Sequence, residues 1–94
     1  MLASGAMALS DDFAAAQVRV KQLSKTPDAS ELLELYALFK QGTVGDVSGD
    51  RPGMLDFKGR AKYDAWAGKK GGGKDASMQS YVALVEKLAT KYGG

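Results

Sequence analysis

The chain has 94 residues, no cysteine, no histidine and a formal net charge of +2. This length predicts one domain with one modest core. The missing residue types exclude disulfides, thiolate chemistry and the commonest general base and metal ligand, and the small net charge argues against a nucleic-acid-binding surface.

Residues 1–9, MLASGAMAL, are small and apolar and lack the positive charge that opens a signal peptide. We interpret them as a flexible N-terminal extension, native or left over from cloning, and residues 10–94 as the domain. No stretch approaches the roughly 20 apolar residues that a membrane span needs. The sequence therefore predicts a cytoplasmic protein.

Apolar residues recur at helical spacing, which predicts an all-α fold with four helices. The first helix is predicted to begin with Ser10 as its N-cap and to stop at Pro27. Asp28 or Ser30 is predicted to cap the second helix, which is expected to run to about Lys40 or Gln41. It is predicted to end at Gly42.

A connection rich in Gly, Asp and Pro, residues 42–56, follows the second helix and is longer than most loops in compact domains. Apolar side chains are expected to anchor it: Val44, Val47, Met54, Leu55 and Phe57. The third helix is predicted at about residues 57–68 and the fourth at about residues 74–92. Four helices and one long loop predict a small bundle.

The segment that joins the last two helices, GKKGGGK at residues 68–74, matches the start of a phosphate-binding P-loop. The next residue is Asp75 rather than the Ser or Thr that would bind magnesium, and no apolar strand precedes the segment. We interpret it as a flexible turn. Because residues 46–50 also lack the ligand pattern of an EF-hand, we expect no metal and no cofactor.

Lysines border apolar or aromatic surface on three predicted helices. Tyr36 and Lys40 are four residues apart, as are Lys58 and Lys62, so each pair shares a helix face. Lys21 adds a cation on the first helix. A lysine beside an apolar stripe either extends to water or binds an anion, and for each lysine alone extension to water is the simpler interpretation. Together they suit an amphiphilic anion that carries a ring.

Other interpretations stay open at this point. An interaction module whose lysines face an acidic protein or nucleic acid would bind with steep salt dependence. An enzyme such as a thioesterase would need a nucleophile with an adjacent base, and the sequence offers no such pair.

Tyr81 lies on the apolar stripe of the fourth helix, where a tyrosine usually packs in or beside a core.

The run from Tyr36 to Trp66 resembles the signature of the acyl-CoA-binding protein family. The matching pieces are YxxFKQ at 36–41, TVGD at 43–46 and RPGMLDFKGxAKxDAW at 51–66, and the resemblance extends from about residue 10 to residue 92. It implies an up-down-down-up four-helix bundle with a long loop between the second and third helices. It also implies a monomeric, non-enzymatic carrier of medium- and long-chain fatty acyl-CoA.

The resemblance also implies the binding residues. Tyr36, Lys40 and Lys62 would hold the 3′-phosphate of CoA, Tyr81 would pack against the adenine, and Lys21 and Lys58 would assist with the remaining phosphates. The further positions carried over are Ala37, Leu38 and Phe39 for ligand contact, and Leu32 and Leu33 for the acyl groove. The implied partner is acyl-CoA alone, without nucleic acid, and with at most transient contact with a membrane or an acyl-CoA-using enzyme.

The sequence departs from the family pattern at several positions. Position 39 is Phe39 where many members have Tyr, which removes a hydroxyl donor. Thr26 stands where a lysine commonly precedes the proline, with Lys25 next to it, and Tyr63 stands where Trp is common. Glycines at 71–73 replace the usual Ser or Thr, which predicts an N-cap weaker by a few tenths of a kcal/mol.

Overall fold

The structure is a computed structural model that describes residues 8–93. These residues form four helices: α1 Leu9–Val20, α2 Ala29–Thr43, α3 Phe57–Ala67 and α4 Lys74–Tyr92. The predicted all-α fold is confirmed, and the predicted bounds of α3 and α4 agree to within one residue. Most of the predicted N-terminal extension, residues 1–7, lies outside the described residues.

Side-chain caps fix the starts of α2 and α3. The carboxylate of Asp28 accepts a hydrogen bond from the Glu31 amide at 2.9 Å, and the Glu31 carboxylate accepts one from the Asp28 amide at 3.0 Å. This reciprocal pair is a complete capping box. Asp56 caps α3 by accepting from the Gly59 amide at 2.9 Å. Helix α4 begins after Gly73, which offers no side-chain cap, so the weak cap predicted there is confirmed.

Both predicted ends of α1 are wrong. The helix begins at Leu9, after an alanine N-cap without a side-chain hydrogen bond, rather than after a cap at Ser10. It ends at Val20, well before Pro27. After Val20 the chain tightens into a turn, in which the amides of Lys21 and Gln22 donate to carbonyls three residues earlier, and Leu23 then packs against the core.

Gly42 does not end α2 but lies buried inside its last turn. A Cβ atom at this position would come within 3.2 Å of Cγ of Met78 and 3.5 Å of Cζ of Phe13. The glycine therefore permits a close approach of α2 to α4. The sequence prediction was wrong because a glycine that ends a helix and one that permits close packing look alike locally.

The contacts between helices define the topology. Helix α4 packs against α1 and α2, and α3 packs against α2 alone among the four helices described. Trp66 near the end of α3 bonds Gly45 just after α2, and the first turns of both helices also meet, so α2 and α3 are parallel. Glu31 near the start of α2 bonds Tyr92 at the end of α4, so α2 and α4 are antiparallel. The segments that follow α1 and α4 are also hydrogen-bonded to each other, which completes the up-down-down-up arrangement.

The core lies where α1, α2 and α4 meet. Its buried side chains are Phe13, Ala16, Leu35, Leu38, Tyr81, Val85 and Leu88. The rings of Phe13 and Tyr81 meet edge to face, with their centroids 5.0 Å apart, which is a favoured aromatic geometry. Helix α3 contributes only Trp66 to the buried residues. The stabilising apolar burial is therefore concentrated on the α4 side of the molecule.

Polar contacts hold the long loop, residues 44–56, against α3. The indole Nε1–H of Trp66 donates to the Gly45 carbonyl at 2.8 Å. Arg51 donates from Nε and Nη2 to the two carboxylate oxygens of Asp64, at 2.9 and 2.7 Å. This paired geometry fixes direction as well as distance, so both halves of the loop are attached to the same helix.

The apolar anchors predicted for this loop are wrong with one partial exception. Val44 is 49% exposed, Met54 and Phe57 are each 75% exposed and Leu55 is 91% exposed, whereas Val47 is half-buried. The loop is held instead by the Trp66 and Tyr63 bonds to its backbone and by the bond from Arg51 to Asp64. Across residues 8–93, no helix has both the length and the apolar character needed to cross a bilayer.

Candidate ligand-binding site

A cavity of about 450 Å³ opens between the first turns of α2 and α3. Each helix contributes one face, because residues three and four apart lie on the same side. The lining is mostly apolar and consists of Ala29, Leu32, Leu33, Tyr36, Phe57, Lys58, Ala61 and Lys62. We call this the α2/α3 cavity. It brings together five predicted site residues, namely Leu32, Leu33, Tyr36, Lys58 and Lys62.

Two lysines give the α2/α3 cavity a cationic edge. The Lys62 Nζ lies 5.4 Å from the centroid of the Tyr36 ring, within the range of a cation–π contact. Lys58 lies one turn before Lys62 on α3. Neither ammonium forms an ion pair with a carboxylate within residues 8–93. An apolar cavity edged by uncompensated cations suits a molecule with an apolar chain and an anionic head.

Lys40 lies one turn beyond Tyr36 on α2 and does not line the cavity. Its Nζ is 4.8 Å from the centroid of the Trp66 ring, and the hydrogen bond to Gly45 fixes that ring in turn. Lys40 is half-buried. The ammonium therefore contacts an aromatic face, and within residues 8–93 it forms no ion pair with a carboxylate.

Lys21 lines a second, neighbouring cavity of about 370 Å³ instead of the first. Leu32 lines both cavities and separates them. Lys25 and Thr26 belong to the second cavity as well. The cation missing at position 26 is therefore available one residue earlier, on the same cavity wall as Lys21.

Four other predicted contact residues lie in or against the core. Ala37 has no exposed surface and Leu38 is 6% exposed, so their ligand contact stays a prediction that the exposure of these side chains does not support. Phe39 is half-buried, with its ring centroid 6.0 Å from that of Phe13. Tyr81 is 5% exposed, and burial raises the pKa of its phenol. The adenine contact of Tyr81 stays a prediction.

Carboxylates around the site are engaged elsewhere. Hydrogen bonds from Arg51 lower the pKa of Asp64. The Asp46 carboxylate accepts hydrogen bonds from the Gly71 amide at 2.9 Å and from Nε2 of Gln41 at 2.9 Å. Both bonds lower the pKa of Asp46, and the bond from Gly71 has the larger effect. Within residues 8–93, neither acid forms an ion pair with Lys58 or Lys62. Among residues 8–93, no group of three His, Cys, Asp or Glu side chains could hold a metal ion.

The sequence did not predict the roles of four residues at this site: Ala29, Ala61 and Phe57, which line the cavity, and Trp66, which contacts Lys40. Ala29 lies three residues before Leu32, and Ala61 lies three residues after Lys58, so helical spacing alone could have identified both. Phe57 was expected to anchor the loop, and Trp66 carried no assigned partner. The contact between Trp66 and Lys40 joins two helices across the long loop, and no local pattern predicts it.

A family model described as acyl CoA binding protein matches residues 10–85. Acyl-CoA-binding protein homolog 1 of Caenorhabditis elegans is 60% identical over 87 residues, which cover 93% of this chain and 99% of the relative. The acyl-CoA-binding protein homolog of Drosophila melanogaster is 49% identical over 84 residues, 89% of this chain and 98% of the relative. The chain belongs to the acyl-CoA-binding protein family.

Solved structures of the family share the fold. Acyl-CoA-binding protein 2 of Oryza sativa superposes with a TM-score of 0.85 at 36% identity, over 89% of this chain and 93% of that one. The acyl-CoA-binding protein of Moniliophthora perniciosa gives 0.84 at 38% identity, over 94% of this chain and 86% of that one. Members of this family bind acyl-CoA and are not enzymes, so the expected non-enzymatic function is confirmed.

Proposed function

We propose that this protein is an intracellular carrier and buffer for medium- and long-chain fatty acyl-CoA, acting in the cytoplasm as a monomer. The observation that carries the proposal is the α2/α3 cavity itself, an apolar space bordered by Tyr36, Lys58 and Lys62. The family supplies the ligand class. The apolar lining of the cavity suits the acyl chain of that ligand, and the lysines at its edge suit the phosphates of the CoA head.

The CoA head is assigned to the cations. Tyr36, Lys40 and Lys62 hold the 3′-phosphate, as the family resemblance implies. Lys40 lies one turn beyond Tyr36 on α2, and the Lys62 ammonium lies 5.4 Å from the Tyr36 ring, which supports the assignment. Lys58 and Lys21 bind the remaining phosphates from opposite sides of Leu32. Each charge-assisted hydrogen bond contributes about 1.5–3 kcal/mol. Displacement of the Lys62 and Lys40 ammonium groups from the Tyr36 and Trp66 rings offsets part of this gain.

The acyl chain is assigned to the apolar wall of the cavity, with Leu32 and Leu33 on α2 facing Phe57 and Ala61 on α3. Each methylene that is fully buried adds about 0.8 kcal/mol as an upper value. Affinity therefore rises with chain length until the cavity is full. A free fatty acid binds weakly because it lacks the head that the lysines hold.

The adenine contact is assigned to Tyr81 by family resemblance alone. The Tyr81 ring is 5% exposed and packs against Phe13. A ligand in this conformation therefore meets only a small part of the ring. The adjoining half-buried aromatic surface, that of Phe39, belongs to the same cluster, and it lacks the hydroxyl that a tyrosine would offer.

Calorimetric titration tests the carrier function. The full chain is titrated with CoA and with saturated acyl-CoA esters of increasing length. We expect one-to-one binding that is weak for CoA and strengthens with each added pair of methylenes before it reaches a plateau. Affinity that does not depend on chain length would contradict the assignment of the cavity to the acyl chain.

Two lysine variants test the assignment of the head group. Lys40→Ala should weaken binding at least about tenfold, because it removes one charge-assisted contact. Lys62→Ala should bind an acyl-CoA and its 3′-dephospho analogue with nearly equal affinity. Lys87→Ala is the matched control, since Lys87 is exposed on α4 and lines no cavity described above. If Lys62→Ala discriminates between the two esters as the wild type does, Lys62 does not bind the 3′-phosphate.

A further inference from the structure

One polar side chain is fully buried where the end of α2, the long loop and the turn before α4 meet. Gln41 is 1% exposed. Its Nε2 group donates one hydrogen bond to the Asp46 carboxylate at 2.9 Å and another to the Gly72 carbonyl at 2.6 Å. The same oxygen of Asp46 also accepts from the Gly71 amide. A single side chain of α2 thus fixes both the start of the loop and the turn that follows α3.

Both segments that Gln41 fixes also hold Trp66. Gly45, which precedes Asp46, accepts the hydrogen bond from the Trp66 indole at 2.8 Å. Within the turn, the Lys69 amide donates to the Trp66 carbonyl at 2.9 Å. The indole and the backbone of Trp66 are therefore each attached to a segment that Gln41 fixes.

The ring of Trp66 in turn contacts Lys40. The Lys40 ammonium lies 4.8 Å from the ring centroid and, within residues 8–93, forms no ion pair with a carboxylate. Lys40 and Gln41 are consecutive on α2, so their side chains leave the helix in directions about 100° apart. Because Gln41 is buried, its side chain cannot contact what Lys40 binds. Any effect of Gln41 on Lys40 therefore passes through the loop, the turn and Trp66.

We propose that Gln41 is a positioning residue for Lys40, and thereby for the phosphate that Lys40 binds. This rests on the proposed function, which assigns Lys40 to the 3′-phosphate of CoA. An ammonium group that is confined to one place loses less side-chain freedom when it binds an anion. The Oε1 atom of Gln41 is buried and has no hydrogen-bond partner among residues 8–93. Because an unpaired buried acceptor is unfavourable, this position is not optimised for stability alone.

Calorimetry of Gln41→Met with an acyl-CoA and with its 3′-dephospho analogue tests the proposal. The substitution removes both donated hydrogen bonds and keeps the length of the side chain. We expect the affinity for the acyl-CoA to fall about three- to tenfold, no more than in Lys40→Ala. The affinity for the analogue should stay within about twofold of the wild type, because the analogue lacks the phosphate that Lys40 binds. Leu88→Ala is the control, since it removes a core side chain and should change neither affinity of the folded protein.

Two further readouts test the path through Trp66, which is the one tryptophan of the chain. Gln41→Met should shift the tryptophan emission to longer wavelength, because the indole is no longer held in its buried place. In a Trp66→Phe background, where the bond to Gly45 is already absent, Gln41→Met should cause no further loss of discrimination between the two esters. An equal further loss in that background would show that Gln41 does not act through Trp66.

The proposal is overturned if Gln41→Met discriminates between the two esters as the wild type does, or if the affinities for both esters fall equally. Gln41→Asn carries the same expectations if Gln41→Met does not fold, because its shorter side chain cannot reach both acceptors. If the wild type itself does not discriminate between the esters, the assignment of Lys40 to the 3′-phosphate fails. The emission of Gln41→Met then still decides whether Gln41 positions the Trp66 ring.

Discussion

The two sides of α2 are built from similar residues for opposite purposes. The side that faces α4 carries Leu35 and Leu38, each 6% exposed and part of the core cluster. The side that faces α3 carries Leu32, which is 44% exposed, and half-buried Leu33. One helix thus separates the surface that stabilises the fold from the surface that we propose receives the ligand, and leucines lie on both.

The attachment of α3 explains how its side of α2 stays open. Helix α3 buries only Trp66, and the contacts that hold it are directional: the indole to Gly45, Arg51 to Asp64, and Lys69 to Glu34 on α2 at 2.6 Å. Directional contacts fix the position of a helix without filling the space beside it. A fully apolar interface would have closed the cavity, because protein interiors pack densely.

A matched pair of leucine substitutions tests this separation and gives the largest predicted effect. Leu88→Ala removes a side chain that is 1% exposed on the core side and should cost about 2–5 kcal/mol of unfolding free energy, measured by urea denaturation. Leu32→Ala, on the cavity side, should cost about 1 kcal/mol or less. Affinity should show the reverse order. Leu32→Ala should weaken long-chain acyl-CoA binding about tenfold, and Leu88→Ala should leave the affinity of the folded protein unchanged.

The outcome that contradicts the comparison is a correlated loss. If Leu88→Ala and Leu32→Ala lower stability and affinity in the same proportion, α2 does not separate the two surfaces. The measurement should be made at a temperature where Leu88→Ala remains folded, because a loss of 2–5 kcal/mol is a large share of the stability of a domain of this size, about 5–15 kcal/mol. Circular dichroism at that temperature supplies the control.

Trp66 lies outside both the core cluster and the lining of the α2/α3 cavity, yet it is the buried residue of α3, at 7% exposure. Trp66→Phe keeps an aromatic ring beneath Lys40 but leaves the buried Gly45 carbonyl without its indole donor. We expect a loss of about 1–3 kcal/mol of unfolding free energy and faster amide exchange in residues 44–56. The control is Tyr63→Phe, which removes a hydroxyl bonded to the Gly49 carbonyl at 3.0 Å near the surface. A larger loss in Tyr63→Phe would contradict the burial argument.

The sequence predicts the parts of this fold that depend on local chemistry. The starts of α2, α3 and α4 follow from Asp28, Asp56 and the glycines before Lys74, each of which acts within one turn of its helix. The binding residues Leu32, Leu33, Tyr36, Lys58 and Lys62 were predicted from the family resemblance, and helical spacing adds only that those on one helix share a face.

The parts that the sequence does not predict depend on contacts between distant segments. Gly42 reads as a helix end and is a packing position because Met78 lies against it. Leu55 was predicted to anchor the loop but is 91% exposed, and the contacts that hold the loop are polar ones to distant residues of α3. The contact of Lys40 with Trp66 joins residues that are 26 positions apart (66 − 40). Neither the hydropathy pattern nor the residue spacing predicts these contacts.

Acid should weaken the polar contacts of the loop before it affects the core. Hydrogen bonds lower the pKa of Asp46 below its ordinary value of 3.8, so the unfolded state binds a proton at higher pH than the folded state does. The resulting stabilisation is present above about pH 4 and is lost as pH falls through the lower folded pKa.

Asp46→Asn tests this pH dependence. The variant should be less stable than the wild type at neutral pH, and the difference should shrink as pH falls below about 4, measured by urea denaturation across a pH series. Asp50→Asn is the control. Asp50 is exposed, and within residues 8–93 its carboxylate forms no hydrogen bond, unlike that of Asp46. If the difference in unfolding free energy between wild type and Asp46→Asn is the same at all pH values, the two contacts do not depend on the charge of the carboxylate.

The smallest predicted effect concerns the start of α4, where two neighbouring glycines have different backbone geometry. Gly73 has φ −65° and ψ 153°, which suits any N-cap residue, and a Cβ there meets no atom within 4 Å. Gly73→Ser should therefore raise the unfolding free energy by a few tenths of a kcal/mol, because its hydroxyl caps a free amide of α4. Gly71→Ser is the matched comparison: at φ +89° the same side chain is strained and should cost about 1 kcal/mol or more. Both substitutions lie outside the α2/α3 cavity, so neither should change the affinity for acyl-CoA. A rise in affinity with Gly73→Ser would mean that the start of α4 contributes to the site, and the boundary between the stabilising and the binding surfaces would then have to move from α2 to the turn before α4.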